Sequence, residues 1–586
     1  RHHLPVINVM NDDGSINGNG GKYAGLSGLE ARRRIVAELK EQGYLVKTEP
    51  IKHNVGSCYR CGTVVEPRIS KQWFVKMKPL AEPAIRAVRE HQVRFLPERM
   101  EKIYFNWMEN IRDWCISRQL WWGHRIPAWY CRDCGETIVA RETPHVCPKC
   151  GSTHLEQDPD TLDTWFSSAL WPFSTLGWPD KTPDLQYFYP TDTLVTGYDI
   201  IFFWVARMIF SGIEQTGEAP FHTVLIHGLV RDDQGRKMSK SLGNGIDPLK
   251  VIGKYGADAL RFALATGNSP GNDMRFSQDK VEASRNFANK IWNAARFIRM
   301  NIEGRDVPNS LPDKLEPEDK WIVDSYNNTV REVTENLEHF ELGIAVQKLY
   351  DFLWDKFCDW YIEISKIRLN SGDEGTAQSA RRVLVWVMSS TMQLLHPFMP
   401  FITEEIWQSL PHTGDTVMTS RWPVYEEAHS FPKESDEMRK VMEAVRAVRN
   451  RRSEMNVPPS RRTHLYLATA EPETFRAGIP IFERLASASS VEVGPSFQIE
   501  GAVTIVTPVV KIFIPTDELV DKKAELARLE KELASAKKQY ATAEAKLGNE
   551  KFLSKAPAKV VGGVRQSAAK LADHIALIES SIREME

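Results

Sequence analysis

Apolar positions recur at three- and four-residue spacing through much of the second half of the chain. After Tyr255-Gly256-Ala257-Asp258-Ala259-Leu260-Arg261, the residues Phe287, Ile291, Ala295 and Ile298 keep the helical period, which predicts helices that bury one stripe against each other. The pattern closes near His396-Pro397-Phe398-Met399-Pro400 and Trp407, and the polar stretch from Tyr425 to Asp436 reads as a linker. A smaller unit comes next, with a helix carrying Met438, Val441, Val445 and Val448 and strands at Leu465 to Ala468, Val503 to Val506 and Val509 to Ile514. At the end, Leu519, Leu526, Leu533, Tyr540 and Leu547 lie seven apart, with Leu529, Ala536 and Ala543 between them. Val561, Val564, Ala568, Leu571, Ile575, Ile578, Ile582 and Met585 answer them, and the break from Gly548 to Pro557 reverses the chain. This predicts an intramolecular antiparallel coiled coil. Dimerisation through the same seam is the alternative, disfavoured by a turn between two seams of matching length. Gly562-Gly563 cost about 1 kcal/mol each against Ala, so the second helix should start frayed or bent.

The first half is less periodic. Val6, Ile7, Val9 and Met10 run into the turn Asp12-Asp13-Gly14. A capping box at Ser27-x-x-Glu30 then opens a helix with Ile35, Val36 and Leu39 as its buried stripe and Gly43 as its left-handed stop. From about residue 56 the texture changes to cysteine knuckles, Trp-rich runs and short strands, including an apolar strand at Thr223 to His227 before a helix near Pro248. The longest apolar run, Ile200 to Ile213, is broken by Arg207 and Ser211 and falls short of the roughly 18–20 residues a bilayer helix needs. A soluble, cytoplasmic chain is expected. Residue 1 is Arg, and Arg1-His2-His3-Leu4-Pro5 opens neither a signal nor a transit peptide, so the chain is expected to start inside a longer protein.

With 586 residues and 42% hydrophobic content the chain should divide into several globular domains, at roughly 100–200 residues each. A net charge of −2 means that any nucleic-acid partner is held by local basic patches. Two clusters qualify against the alternative of a solvated face: Lys537, Lys538, Lys546, Lys551, Lys555, Lys559 and Arg565 near the hairpin tip, and Arg446, Arg449, Arg451, Arg452, Arg461 and Arg462.

Six of the 8 Cys fall in Cys-x-x-Cys pairs. Cys131/Cys134 and Cys147/Cys150, each pair followed by Gly, place four thiols in two tight turns and predict structural Zn²⁺ rather than free or disulfide-bonded cysteines. Four thiolates leave no open position for chemistry. Cys58/Cys61 supplies half a site and reads as truncated or vestigial.

Lys237-Met238-Ser239-Lys240-Ser241, between Gly235 and Gly243, is a basic loop after an apolar strand; two ammonium groups and two hydroxyls can converge there on a polyphosphate. By composition alone it is a solvated loop. In this setting it resembles the signature loop of class I aminoacyl-tRNA synthetases. The segments Asn106 to Gln119, Trp121-Trp122-Gly123-His124-Arg125, Leu162-Asp163-Thr164-Trp165-Phe166-Ser167-Ser168-Ala169, Gly197 to Trp204, His227-Gly228-Leu229-Val230 and Ser269-Pro270-Gly271-Asn272-Asp273 are similar to the bacterial valyl-tRNA synthetases. The resemblance covers essentially the whole chain.

That resemblance implies a multidomain α/β plus all-α protein: the end of an inserted editing domain (1–55), the C-terminal half of a Rossmann-type catalytic domain with its zinc knuckle (56–275), a helical anticodon-binding domain (276–430), a small α/β domain (431–515) and a coiled-coil tRNA-binding arm (516–586). It implies that valine and ATP form valyl-adenylate and that tRNA(Val) accepts the valyl group, in a monomer using Mg²⁺. Lys237 and Lys240 would stabilise phosphoryl charge as catalytic groups, with Ser239 and Ser241 beside them. Gly197, Asp199, His227 and Gly228 would meet the nucleotide or the substrate amine, while Trp165 and Ile200 would wall the valine side chain, against the alternative of plain core packing. Trp354, Phe357, Trp360 and Trp386 are assigned to the bundle core. No His-x-Gly-His element occurs, and the catalytic Asp expected for editing would lie upstream, so this chain alone is expected to be inactive. The rivals are an isoleucyl- or leucyl-tRNA synthetase and a non-catalytic tRNA-binding module.

Overall fold

A computed structural model describes residues 4–58, 61–66, 69–239, 242–519, 522–548 and 558–585. They gather into two units, 1–226 and 227–586.

In the first unit the strand Phe221–His227 lies between Arg94–Leu96, to which it runs parallel, and Thr191–Gly197. Val224 and Ile226 of this central strand are fully buried with Phe95, Tyr104, Val205 and Ile209 under the helices Lys78–Arg89, Glu101–Glu109 and Ala206–Thr216. A separate antiparallel sheet, with Ala128–Cys131 between Thr137–Val139 and Leu155–Gln157, carries the cysteine knuckles. Near the start, the capping box of Ser27 and Glu30 opens the helix Gly28–Glu41 as expected, and Gly43 has φ 77°. The expected buried stripe does not form: Val36 and Leu39 are exposed and only Ala31 is buried. The preceding segment contributes only isolated bridges, Met10 to Ile16 and Ser15 to Ser27, too little surface to cover a helix face.

In the second unit, Gln278–Ile302, Pro317–Glu338, Leu342–Asp351, Ile362–Leu369 and Glu374–Leu395 form the helical bundle, and Phe287, Ile291, Ala295 and Ile298 are buried in it. The segment Phe352–Tyr361 is wound as a π-helix, which periodicity could not reveal. Arg368 and Asp319 meet inside at 2.6 Å, and Tyr361 donates to the same carboxylate at 2.6 Å. The expected linker is partly helical, because Pro432 starts the helix Pro432–Glu454. Met438, Val441, Val445 and Val448 of that helix are buried, and the apolar core runs without a break into the small sheet. The order of that sheet is Ala488–Gly494, Thr463–Thr469, Val510–Pro515, Ala502–Val506. Periodicity does not disclose Ala488–Gly494, a Ser- and Glu-containing strand whose parallel partner, Thr463–Thr469, is separated from it by the helices Pro472–Ala477 and Ile479–Leu485.

The arginine cluster divides. Arg452 is buried and donates to Thr463, to the Pro458 carbonyl and to the Arg461 carbonyl, which ties helix to sheet and removes it from any tRNA surface. Arg461 and Arg462 also donate to backbone carbonyls, of Asp517 and Ala488.

The last helices, Lys522–Leu547 and Ala558–Met585, pack on each other, with Lys537 and Glu579 paired at 2.6 Å. Ala536 and Ala568 are buried at the predicted seam. Gly562 and Gly563 lie inside the second helix, which starts before them without a break. The chain reversal and the side chains of Lys551, Lys555 and Lys559 lie outside the described residues. Among the described residues no helix is long and apolar enough to cross a membrane.

Candidate functional site

In the second unit the strand Val230–Arg231 pairs in parallel with Met274–Arg275, and this brings His227-Gly228-Leu229 against Asn272-Asp273. Asp273 accepts from the Leu229 N–H at 2.8 Å and pairs with Arg231. A Cβ on Gly228 would stand 1.8 Å from the Asn272 carbonyl oxygen, so only glycine permits this approach. Gly228→Ala is therefore expected to push the two segments apart and to cost about 1–3 kcal/mol of stability, seen as a lowered melting temperature with the helical circular dichroism retained. An unchanged melting temperature would mean that the close approach adds nothing to stability.

The strand Val230–Arg231 enters the signature loop through a hairpin turn, with Arg231 bridged to Lys237. Asp232 caps it by accepting from the Arg236 N–H at 2.7 Å, and its other oxygen takes Arg236 Nε at 2.8 Å and Asn244 Nδ2 at 2.9 Å. Asn244 accepts in turn from the Ser239 N–H at 3.0 Å and donates to the Lys237 carbonyl at 3.3 Å. The Asn244 amide leads, and Arg236 assists, in holding the Asp232 carboxyl at about 2 against partial burial, so it stays ionised over the working range. Lys237 is exposed on this hairpin; Lys240 and Ser241 lie outside the described residues. The parts played by Asp232 and Asn244 are not visible in the sequence, which shows only a turn signal around the loop.

In the first unit, Asp163 starts the helix Thr164–Ser168 by accepting from the Trp165 N–H at 3.1 Å. Its other oxygen accepts from Trp114 Nε1 at 3.1 Å and from Arg118 at 2.5 Å. The Trp165 ring stacks on Phe203 at 5.8 Å, and Trp204 Nε1 donates to the Ser168 carbonyl at 3.3 Å. The helix bearing Trp165 is thus joined to the π-turn Ile201–Val205, which comes after Gly197, Asp199 and Ile200. Trp165 and Ile200 are half-buried, Gly197 is buried and Asp199 is exposed.

The four thiols of Cys131, Cys134, Cys147 and Cys150 lie within 4.8 Å of one another, with Cys131 3.5 Å from Cys150 and Cys134 3.6 Å from Cys147. Zn–S bonds of about 2.3 Å put the sulfurs of a tetrahedral site about 3.8 Å apart, so the donor set fits zinc. Gly135 and Gly151 take φ 71° and 72° and turn their N–H groups back to the carbonyls of Cys131 and Cys147. Burial opposes ionisation of Cys131, but the N–H groups of Cys134 and Asp133 bring its thiol down to about 7. Cys134, despite the Glu136 N–H, is pushed up to about 12 by burial and by the neighbouring thiols. Four sulfurs this close therefore ionise together only around a cation. Cys58 and Cys61 belong to no such group among the described residues.

Residues 21–277 match the family model described as tRNA synthetases class I (I, L, M and V). The anticodon-binding domain of tRNA ligase matches 319–467, and the valyl tRNA synthetase tRNA binding arm matches 521–586. The valine–tRNA ligase of Clostridium perfringens is 55% identical over 100% of this chain and 67% of its own length. That of Bacillus subtilis is 50% identical over 97% of this chain and 64% of its own. The chain thus spans about two thirds of the length of these relatives. Among solved structures, a Mycobacterium tuberculosis methionyl-tRNA synthetase in complex with methionyl-adenylate aligns with TM-score 0.49 at 18% identity, over 62% of this chain and 72% of that one.

Proposed function

The chain belongs to the valine–tRNA ligases, within the class I aminoacyl-tRNA synthetases, and from that premise we propose that the full-length protein joins valine to ATP as valyl-adenylate and passes the valyl group to tRNA(Val). The observation that carries the reading is the hairpin closed by Asp232 and Asn244, presenting Lys237 in a chain with 55% identity to such a ligase along its whole length. Whole-chain identity and the match of the terminal segment to a valyl-type arm disfavour the isoleucine and leucine enzymes; the catalytic-domain match disfavours a mere binding module.

In this reading Lys237 and Lys240 place positive charge where the α-phosphoryl group and the leaving pyrophosphate gather negative charge, and Ser239 and Ser241 add hydrogen bonds. No covalent protein intermediate is needed. Mg²⁺, when bound with ATP, neutralises part of the same charge. Gly197 and Asp199 hold the substrate amine or the ribose, His227 and Gly228 approach the nucleotide, and Trp165 and Ile200 wall the valine side chain. The partial burial of Trp165 and Ile200 supports this, since plain core residues would be closed over. The cysteine knuckle holds zinc and does no chemistry.

A hydrophobic pocket cannot strongly reject an isostere that adds only a hydroxyl, and the valine enzyme facing threonine is the standing example of that limit; the full-length protein accordingly edits mischarged threonine. On the tRNA side, the cavity of about 550 Å³ lined by Trp292, Arg296, Arg299 and Met300 suits an unstacked base. The terminal pair of helices, an antiparallel coiled coil, offers exposed Lys538, Lys546 and Arg565 to phosphate. The protein acts as a cytoplasmic monomer. Charging of tRNA(Val) with valine tests the whole reading. Deleting residues 516–586 is expected to weaken tRNA binding and flatten its salt dependence by nearly one unit of slope per lost phosphate contact; an unchanged slope would make the arm structural only.

A further inference from the structure

We propose that Arg207 is a positioning residue that locks the two walls of the amino-acid pocket to each other, through Asp163, Trp114 and Phe203; this rests on the valine-activating function proposed for the full-length protein. Arg207 is only 6% exposed, on a helix whose neighbouring Met208 and Ile209 are fully buried. Burying a charge costs free energy that an apolar side chain of similar size would not, so packing alone gives no reason for an arginine here. Burial drags its pKa down to about 10, with Asp163 opposing, which leaves it charged at neutral pH.

The buried ion pair with Asp163 is only part of the reason. That carboxylate already accepts from Trp114, from Arg118 and from the Trp165 N–H. Arg207 Nη1 stands 3.7 Å from it, beyond hydrogen-bond reach, and has no hydrogen-bond partner. What the guanidinium does make is a cation–π contact: its central carbon lies 3.7 Å from the centre of the Trp114 ring, with Phe202 and Phe203 at 5.7 and 5.8 Å. Trp114 is fixed to Asp163 and so to the start of the helix bearing Trp165, while Phe203 stacks on Trp165 itself.

Arg207 lies directly after the π-turn Ile201–Val205 and Ala206, and the wider winding of that turn re-aims the side chains after Ile200. It therefore sits where the segment carrying Asp163 and Trp165 meets the segment carrying Gly197, Asp199 and Ile200. A planar cation against Trp114 and Phe203 sets the distance between those segments, and with it the width available to a β-branched side chain. Lysine carries the charge but not the plane.

The test is ATP–pyrophosphate exchange by the full-length enzyme and its Arg207→Met and Arg207→Lys variants, with valine and isoleucine, beside their melting temperatures. Arg207→Met is expected to raise KM for valine about tenfold with kcat nearly kept, and to lower the preference for valine over isoleucine about tenfold, the scale set by one methylene in an apolar pocket. Arg207→Lys is expected to melt close to the parent and still lose preference. Unchanged KM and preference in a folded variant, with only the melting temperature lowered, would overturn the proposal. Should Arg207→Met not fold, Arg207→Lys decides by the same two readings, and Phe203→Leu repeats them from the other side of the contact. A parent enzyme whose exchange is not led by valine would instead sink the functional reading.

Discussion

Lys237→Ala in the full-length enzyme is expected to lower kcat of valine-dependent ATP–pyrophosphate exchange by about 10²–10³-fold, the cost of removing one donor aimed at developing charge. The KM for valine should hardly move, because a charge aimed at the phosphoryl group acts in the transition state and is not assigned to the valine side chain. The hairpin is expected to survive the change: its closure depends on Asp232, Arg236 and Asn244, and the part of Lys237 that meets Asn244 is its backbone carbonyl, which alanine keeps. A fall in KM and kcat together would mean instead that ground-state strain had been relieved. An unchanged rate would remove the loop from the chemistry.

The second large effect concerns the cysteine knuckle. Purified protein is expected to carry zinc at the four-thiol site, and Cys147→Ser to lose it, because Cys147 is buried and within reach of the other three sulfurs. Structural zinc contributes about 10–16 kcal/mol of apparent binding free energy in isolated peptides, far more than a sheet of short strands can supply. The segment from Ala128 to Gln157 is therefore expected to become a protease-sensitive stretch in the variant or under a strong chelator. Metal analysis finding no zinc in the parent protein, or an equally protected segment after chelation, would contradict the assignment.

What could be read from the sequence was local. A Cys-x-x-Cys-Gly turn needs only its own residues to form, so four ligands can be named before any fold is known. The bundle stripe of Phe287, Ile291, Ala295 and Ile298 and the seam through Ala536 and Ala568 are periodic within one helix, and both are buried. What escaped was non-local or depended on what lies opposite. Asp163 and Arg207 are on different elements, and nothing in either neighbourhood announces a guanidinium lying on Trp114. Asp232 and Asn244 look like ordinary turn residues, because only the closed hairpin shows one carboxylate receiving both an N–H and an amide. Arg452 reads as a surface arginine since charge normally faces water, yet here its guanidinium satisfies two carbonyls and a hydroxyl between helix and sheet. The stripe on Gly28–Glu41 fails for the opposite reason: the amphipathic pattern is real, but no described element covers it.

The central claim is that this chain comes from an enzyme that activates valine, and amino-acid-dependent ATP–pyrophosphate exchange by the full-length protein tests it most directly, with valine, isoleucine, leucine and threonine compared side by side. The account predicts exchange led by valine, with a weaker threonine signal from the near-isosteric hydroxyl. Exchange led by isoleucine or leucine, or none with any of the four, would contradict it.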